Sequence, residues 1–183
     1  MEVDASPTSV RVGVRVRPLL PLESSETRVL SVLPPSSLSV GGKRFDLDFA
    51  FGETATQDQL YSAAVAPLVG HVFEGYNATV FAYGQTGAGK TYTMGSGGRP
   101  ADEAERGVIP RAVEHVFSLL AAAPVTETWS LHISYLEIHN EEIKDLLHPH
   151  AANSRSVSIR EDAAGDIFVH GTCAQRHTYF FVH

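Results

Sequence analysis

An octapeptide near the middle of the chain limits the available folds more than any other segment. Its residues are Gly84, Gln85, Thr86, Gly87, Ala88, Gly89, Lys90 and Thr91. They fit the pattern G-x-x-x-x-G-K-[ST], in which glycines allow positive φ angles and a close approach of the backbone to an anion. The apolar run at 78–83 precedes it and predicts a strand buried on both faces. A strand, a glycine loop and a helix beginning near Gly89 and Lys90 together predict a P-loop on an α/β fold.

The chemistry of such a loop is the binding of phosphate groups. Successive backbone N–H groups surround phosphate oxygens, and the helix that follows adds its positive N-terminal end. Lys90 is expected to reach the β- and γ-phosphates of a nucleotide, and the Thr91 hydroxyl to bind Mg²⁺. The alternative is a glycine-rich turn with an incidental lysine, and the preceding apolar run argues against it. The expected cofactors are therefore ATP and Mg²⁺.

The composition limits the partners of this chain. Its 183 residues carry a net charge of −7, so no global positive field attracts nucleic acid. The one cysteine, Cys173, excludes an intrachain disulfide framework and suits the reducing cytoplasm. The apolar runs are too short to span a bilayer, and no heptad repeat indicates a coiled coil. We therefore expect a cytoplasmic protein with no nucleic-acid or membrane partner and no coiled coil in these residues.

Hydrophobic periodicity predicts two further helices. Thr56 and Gln59 form a capping-box pattern, after which apolar pairs recur every four residues until Gly75. A glycine at that place is typical of a helix C-terminus. A second set of apolar pairs predicts a helix over residues 108–120.

Strands are expected on both sides of these helices. Alternating or apolar patterns predict strands over residues 10–16, 45–51 and 129–135. Residues 157–160 and 167–169 predict a β-hairpin, with Gly165 in its turn. Asp162 and Gly165 also have the D-x-x-G form of a magnesium-site motif. The residues before Asp162 are too polar for a central parallel strand, so the hairpin turn is favoured.

Several motifs taken together resemble a kinesin motor domain. They are Arg15-Val16-Arg17-Pro18, Tyr76–Tyr83, the octapeptide, Thr91–Gly95, Gly107–Arg111, Ser134–Glu141 and Asp145–Leu147. The resemblance covers about residues 8–171. The segments Tyr76–Val80 and Gly107–Arg111 are most similar to the chromokinesin-type, or fourth, subfamily. The resemblance implies a P-loop NTPase-type kinesin motor fold, with a mixed central β-sheet flanked by helices, and an ATP-driven motor that moves on microtubules of the cytoskeleton.

The resemblance also assigns roles to individual residues. Arg15, Arg17 and Pro18 would line the adenine side of the nucleotide pocket, and Tyr92 would lie against the adenine ring. An exposed arginine edge and an ordinary helix tyrosine are the alternatives. The hairpin contacts tubulin in kinesins, which makes Arg155 and Arg160 candidate microtubule contacts. For both arginines the alternative is a solvated side chain on a hairpin.

The chain also departs from the family pattern. It has a polar N-terminus at 1–9, expected to be flexible, the motor-like part at 10–171, and a tail at 172–183 that does not continue the pattern. The family motifs N-x-x-S-S-R-S-H and D-L-A-G-S-E are absent from the sequence, so no catalytic residue is assigned. We expect a truncated, incomplete fold that is non-motile by itself, with residues 78–83 lacking neighbouring strands and exposing apolar side chains. The alternative is a non-catalytic isoform or fragment that binds nucleotide or tubulin weakly, or does not fold.

Overall fold

The computed structural model describes most of the chain. The described residues are 10–23, 25, 27–33, 35–95, 102–124, 129–147, 157–165, 167–171 and 175–179. They belong to two compact units, one that ends at Leu119 and one that begins at Leu120. No helix of these residues is long and apolar enough to cross a membrane. The expected flexible N-terminus, residues 1–9, lies outside the described ranges.

Five short strands form two sheets in the first unit. They are β1 (Gly13–Arg15), β2 (Leu30–Leu33), β3 (Ser37–Val40), β4 (Lys43–Asp46) and β5 (Phe49–Phe51). Strands β2, β3 and β4 form an antiparallel meander, whereas β1 pairs with β5 in parallel. The register places Val14 of β1 opposite Ala50 of β5. Strand β1 thereby places Arg15 at its carboxyl end, two residues before Arg17.

The prediction of a single strand over residues 45–51 is wrong, because the segment is divided between two sheets. Strand β4 ends at Asp46 and pairs with β3, while β5 begins at Phe49 and pairs with β1. Between them the carboxylate of Asp48 accepts a hydrogen bond from the backbone N–H of Val12 at 2.7 Å. The change of partner depends on strands distant in sequence, which the local alternation does not reveal.

The predicted long helix is present. It runs through α1 (Gln57–Leu60), a π-helical stretch (Tyr61–Val65) and α2 (Ala66–Phe73). The capping box is confirmed, since Thr56 Oγ1 accepts from Gln59 N at 3.1 Å and Gln59 Oε1 accepts from Thr56 N at 3.0 Å. Pro67 has no N–H to donate to the preceding turn, which accounts for the shift to π-type bonding.

The end of this helix also follows the prediction. Gly75 has φ 94°. Its N–H donates to the carbonyl of Val72, and the N–H of Tyr76 donates to the carbonyl of His71. These two bonds form a Schellman motif, which requires a left-handed residue at the position of Gly75.

Two more helices follow, α3 (Lys90–Met94) and α4 (Val108–Ala122). The hydrophobic core of the first unit lies between the long helix and α4. Its buried members are Leu60, Tyr61, Val65, Val69 and Val108. Four of these, all except Val108, belong to the apolar pairs that predicted the long helix, so the helical spacing of those pairs is confirmed. The Tyr61 hydroxyl lies 3.0 Å from Nδ1 of His115, so the one polar group of this core has a partner on α4.

The backbones at the end of α3 and the start of α4 touch. A Cβ atom added to Gly107 would lie 2.6 Å from Cα of Gly95 and 2.6 Å from the carbonyl carbon of Met94. Gly95 itself has φ 77°, which makes it the left-handed residue after α3. Only glycine at both positions allows this approach.

The strand expected over residues 78–83 is not formed. This segment has no strand assignment, and no strand of the described residues pairs with it. Phe81 and Tyr83 are 79% and 94% exposed. A strand requires partners for its backbone groups, and local apolar character alone does not supply them. The accompanying expectation, that these apolar side chains would be exposed, is confirmed.

Six strands form three antiparallel pairs in the second unit. They are β6 (Trp129–Ile133), β7 (Leu136–His139), β8 (Glu142–Asp145), β9 (Ser158–Glu161), β10 (Ile167–His170) and β11 (Gln175–Tyr179). The pairs are β6 with β11, β7 with β8, and β9 with β10. Strands β7 and β8 meet at Asn140 and Glu141, whose φ angles of 49° and 65° are those of a type I′ turn.

Two features of this unit can be compared directly with what the sequence indicated. The predicted hairpin is confirmed, and the carbonyl of Asp162 accepts from Gly165 N at 3.1 Å, as a turn requires. The tail after Gly171 does not continue the family pattern, yet its residues 175–179 form β11, which pairs along its whole length with β6. That pairing is a contact across more than forty residues of sequence, so a local pattern could not indicate it.

The α/β class is therefore confirmed. Parallel and antiparallel pairing both occur, and the pairs form five separate small sheets in the described part of the chain.

Candidate nucleotide-binding site

The glycine loop has the backbone conformation that its sequence predicts. Gly84, Gly87 and Gly89 have φ angles of 154°, 81° and 96°. The N–H of Ala88 donates to the carbonyl of Gln85 at 3.1 Å and closes a turn in the middle of the loop. Positive φ at three of six positions explains why glycines recur here.

Lys90 is folded back over the loop. Its Nζ donates to the carbonyl of Gly84 at 2.7 Å and to that of Gln85 at 2.9 Å. Helix α3 begins at Lys90, as predicted, with Gly89 as its N-cap. Thr91 follows in the first turn and is exposed. The ammonium group and the start of the helix therefore lie beside the same short loop.

Arg15 links β1 to α3. Its Nη1 donates to Oγ1 of Thr93 at 3.1 Å, and its guanidinium lies 5.0 Å from the centroid of the Tyr92 ring. Its Nη2 donates to the carbonyl of Ala55 at 3.0 Å. Burial lowers the pKa of Arg15, while interaction with Tyr92 opposes this shift. Arginine remains charged in proteins, so the Tyr92 ring has a permanent cation on one side.

Gln57 connects these groups. Only 2% of its surface is exposed. Its Oε1 accepts from Nη1 of Arg15 at 2.7 Å, and its Nε2 donates to the carbonyls of Tyr92 and Glu105 at 2.7 Å and 3.2 Å. The sequence analysis did not single out this residue, because a polar residue in the first turn of a helix is most often exposed.

Arg17 lies next to the end of the loop. A Cβ atom on Gly89 would be 3.9 Å from Cβ of Arg17. The Arg17 guanidinium forms a two-pronged ion pair with Glu23, with N–O distances of 2.6 Å and 2.7 Å, and also donates to the carbonyl of Pro18. Leu20 N donates a further bond to the Glu23 carboxylate at 2.9 Å. The side chain of Arg17 is therefore oriented by Pro18 and Glu23, which follow it within six residues.

Because of this ion pair, we expect the carboxyl group of Glu23 to titrate at an unusually low pH. The Arg17 guanidinium, and next the Leu20 N–H, lower the pKa of Glu23 from 4.5 to about 2. Since the folded pKa lies below the unfolded one, the stabilising contribution is present above pH 4.5 and is lost as pH falls toward 2. We expect the Glu23 carboxyl carbon to titrate near pH 2 by NMR, and nearer 4.5 in Arg17→Ala. A midpoint near 4.5 in the unaltered chain would contradict this ion pair.

The sequence-predicted residues are distributed over both units. The first unit brings the octapeptide together with Arg17, and Arg15 together with Tyr92. Arg160 is exposed on β9, where its Nε donates to Oγ of Ser158 at 3.3 Å. Arg155 lies outside the described residues. Tyr92 is 51% exposed, so one part of its ring is open to a ligand.

The residues of the loop fit a phosphate group. Lys90 supplies a cation and the loop supplies glycines without side chains, so an anion can approach the backbone. The Thr91 hydroxyl is an oxygen donor of the kind that Mg²⁺ binds alongside nucleotide phosphates. Mg²⁺ would neutralise phosphate charge there, and the protein side chains would orient the nucleotide.

The fold and this loop define a P-loop protein of the α/β class. The sequence profile of the Kinesin motor domain matches residues 15–179. Human kinesin-like protein KIF27 is 41% identical over 168 residues, which are 88% of this chain and 12% of KIF27. The chromosome-associated kinesin KIF4 of Xenopus laevis is 45% identical over 168 residues, 88% of this chain and 14% of KIF4. This chain belongs to the kinesin motor domain family.

A solved kinesin structure agrees with this assignment. The structure of a fast kinesin aligns with a TM-score of 0.79 and 34% identity over 94% of this chain. The chain spans 49% of that motor structure and a smaller share of the curated relatives. The chromokinesin-type resemblance accords with the match to chromosome-associated KIF4. The fold expected from the sequence motifs, that of a kinesin motor domain, is confirmed.

Proposed function

We propose that this chain is the nucleotide-binding part of a microtubule-based kinesin motor. Residues 84–91 hold the phosphates of Mg·ADP or Mg·ATP, with Thr91 as the protein ligand of Mg²⁺. Arg15, Arg17, Pro18 and Tyr92 lie on the adenine side. The observation that carries this proposal is the placement of the Lys90 ammonium directly over the glycine loop.

The surroundings of the loop support the same assignment. Arg15 is held against Tyr92, and Arg17 is adjacent to Gly89, so both arginines of the strand end lie near the loop or the helix that follows it. A half-exposed aromatic ring next to a fixed guanidinium is a surface on which a planar base can stack. The family membership gives this arrangement its expected ligand, an adenine nucleotide.

Equilibrium titration of the 183-residue chain with Mg·ADP tests the nucleotide site. We expect saturable binding at one site that weakens when EDTA removes the metal, because Mg²⁺, bound by the Thr91 hydroxyl, neutralises part of the negative charge of the phosphates. AMP lacks the β-phosphate and is expected to bind much more weakly. A folded chain that shows no saturable Mg·ADP binding would contradict the proposal.

The same proposal includes the microtubule as partner and the cytoskeleton as location. Hairpin β9–β10, with the exposed Arg160, is the proposed contact in the described part of the chain. Because the 183 residues contain neither N-x-x-S-S-R-S-H nor D-L-A-G-S-E, we propose that this chain by itself is non-motile and shows no microtubule-stimulated ATP turnover. Co-sedimentation of the chain with microtubules tests the proposed contact.

Phosphate release that microtubules stimulate would overturn the proposal that this chain alone shows no microtubule-stimulated ATP turnover.

A further inference from the structure

Gln57 is a buried polar residue that the proposed mechanism does not yet use. It lies in α1, and its side chain joins Arg15 at the end of β1 to the backbone carbonyls of Tyr92 in α3 and Glu105. Guanidinium groups only donate hydrogen bonds and carbonyls only accept them, so the partners dictate the orientation of the amide. Three bonds thus join parts of the chain that are far apart in sequence.

The contacts of Gln57 are specific to its side-chain chemistry. The position needs an acceptor for Arg15 and a donor for the carbonyl of Tyr92 at the same time. Only Asn and Gln carry both groups in an uncharged amide, and Asn is one methylene shorter. Tyr92 also lies in the last turn of α3, where helix carbonyls have no partner within the helix. Gln57 therefore caps α3 while it holds Arg15.

The contacts of Gln57 differ from those of the phosphate loop. Lys90 is held by the carbonyls of Gly84 and Gln85, within the loop itself. Gln57 instead contacts both Arg15 and Tyr92, whose guanidinium and ring are 5.0 Å apart. Loss of Gln57 would leave the carbonyl of Tyr92 without this donor and Arg15 with fewer fixed contacts.

We propose that Gln57 is a positioning residue for the nucleobase: it fixes Arg15 relative to Tyr92 and thereby sets affinity for adenine nucleotides without altering affinity for the phosphate chain alone. This inference rests on the proposed nucleotide site. It assigns base recognition and phosphate recognition to separate hydrogen-bond networks. The two can be measured separately, because inorganic tripolyphosphate has no base.

The test compares Gln57→Met with Gln59→Met in the full 183-residue chain. Gln59 lies in the same helical turn, but its side chain accepts from Thr56 N and makes none of the Gln57 contacts. Binding of Mg·ADP and of Mg·tripolyphosphate is measured by calorimetry. Gln57→Met is expected to weaken Mg·ADP binding on the order of tenfold and tripolyphosphate binding less than about twofold. Gln59→Met is expected to change either affinity less than about twofold.

Each other outcome is decisive. Equal weakening of both ligands, or unchanged Mg·ADP binding, would overturn the role of Gln57 while leaving the nucleotide site intact. Failure of the unaltered chain to bind either ligand would contradict the proposed function itself. If Gln57→Met shows no cooperative thermal unfolding, Gln57→Glu replaces it, since a carboxylate keeps the acceptor for Arg15 but removes the donor for Tyr92. The same selective loss is expected, and affinities equal to those of the unaltered chain would overturn the inference.

Discussion

Replacing Lys90 with alanine is expected to weaken binding of Mg·ADP about 100-fold or more. The Lys90 ammonium lies over the loop, with Nζ 2.7 Å from the carbonyl of Gly84. A bound phosphate would gain charge-assisted hydrogen bonds from this group, and each contributes about 1.5–3 kcal/mol. No other lysine belongs to the octapeptide or to α3.

The matched control is Lys43→Ala. Lys43 lies on β4 in the same unit, where its Nζ is 5.2 Å from the centroid of the Phe45 ring. The Lys43→Ala substitution removes one positive charge without altering a residue of the loop, so Mg·ADP affinity is expected to change less than about twofold. If Lys90→Ala and Lys43→Ala bind Mg·ADP equally well, Lys90 does not act on the phosphates. Thermal unfolding of both variants shows whether the loop remains folded.

Replacing Gly107 with alanine is expected to lower the free energy of unfolding by about 3 kcal/mol. The new Cβ would meet backbone atoms of Gly95, including Cα at 2.6 Å, and these atoms cannot rotate away as a flexible side chain would. Relief requires α4 to move away from the end of α3. Because Val108 follows directly and is buried in the core, such a movement also opens the core.

Gly70→Ala is the opposing control. Gly70 lies inside α2, and a Cβ added there would meet nothing within 4 Å. Alanine in an open helical position stabilises by about 0.5–1 kcal/mol, because it restricts the unfolded chain and favours the helix. Urea unfolding of the two variants should therefore shift in opposite directions. A Gly107→Ala midpoint at or above that of the unaltered chain would contradict the backbone contact between Gly95 and Gly107.

The features that sequence analysis predicted correctly are those determined by nearby residues. The capping box at Thr56, the stripe that buries Leu60 and Val65, and the left-handed Gly75 all follow from residues within one or two helical turns. The hairpin β9–β10 likewise depends on a local turn. Local interactions of this kind have the same outcome in most folds, which makes them predictable.

The features that were missed depend on distant partners. The division of residues 45–51 between two sheets arises because β5 pairs with β1 rather than with β3. Strand β11 forms because β6 offers it an edge. Residues 78–83 illustrate the reverse case, in which a strong apolar pattern forms no strand because no described strand pairs with it. Tertiary context decides strand formation more than local propensity does.

The residues of the candidate site were predicted from the sequence, but the side-chain hydrogen bonds that hold them in place were not. The octapeptide, Arg15, Arg17 and Tyr92 were identified from motifs, and these remain predictions until binding is measured. The motifs did not indicate that Glu23 holds Arg17 or that Gln57 holds Arg15. A motif specifies which groups meet the ligand, whereas the groups that orient them are fixed only by the folded chain.

Because Gly95 and Gly107 are in contact, the geometry of the site does not depend on the length of the chain that joins α3 to α4. The chain leaves this contact at one glycine and returns to it at the other, so the backbone contact itself brings the two ends of the connection together. Doubling such a connection adds only about 0.6 kcal/mol of closure entropy. Homologous chains can therefore differ in length here while α3 and its lysine keep their position, which makes this connection a suitable place for inserting a reporter sequence.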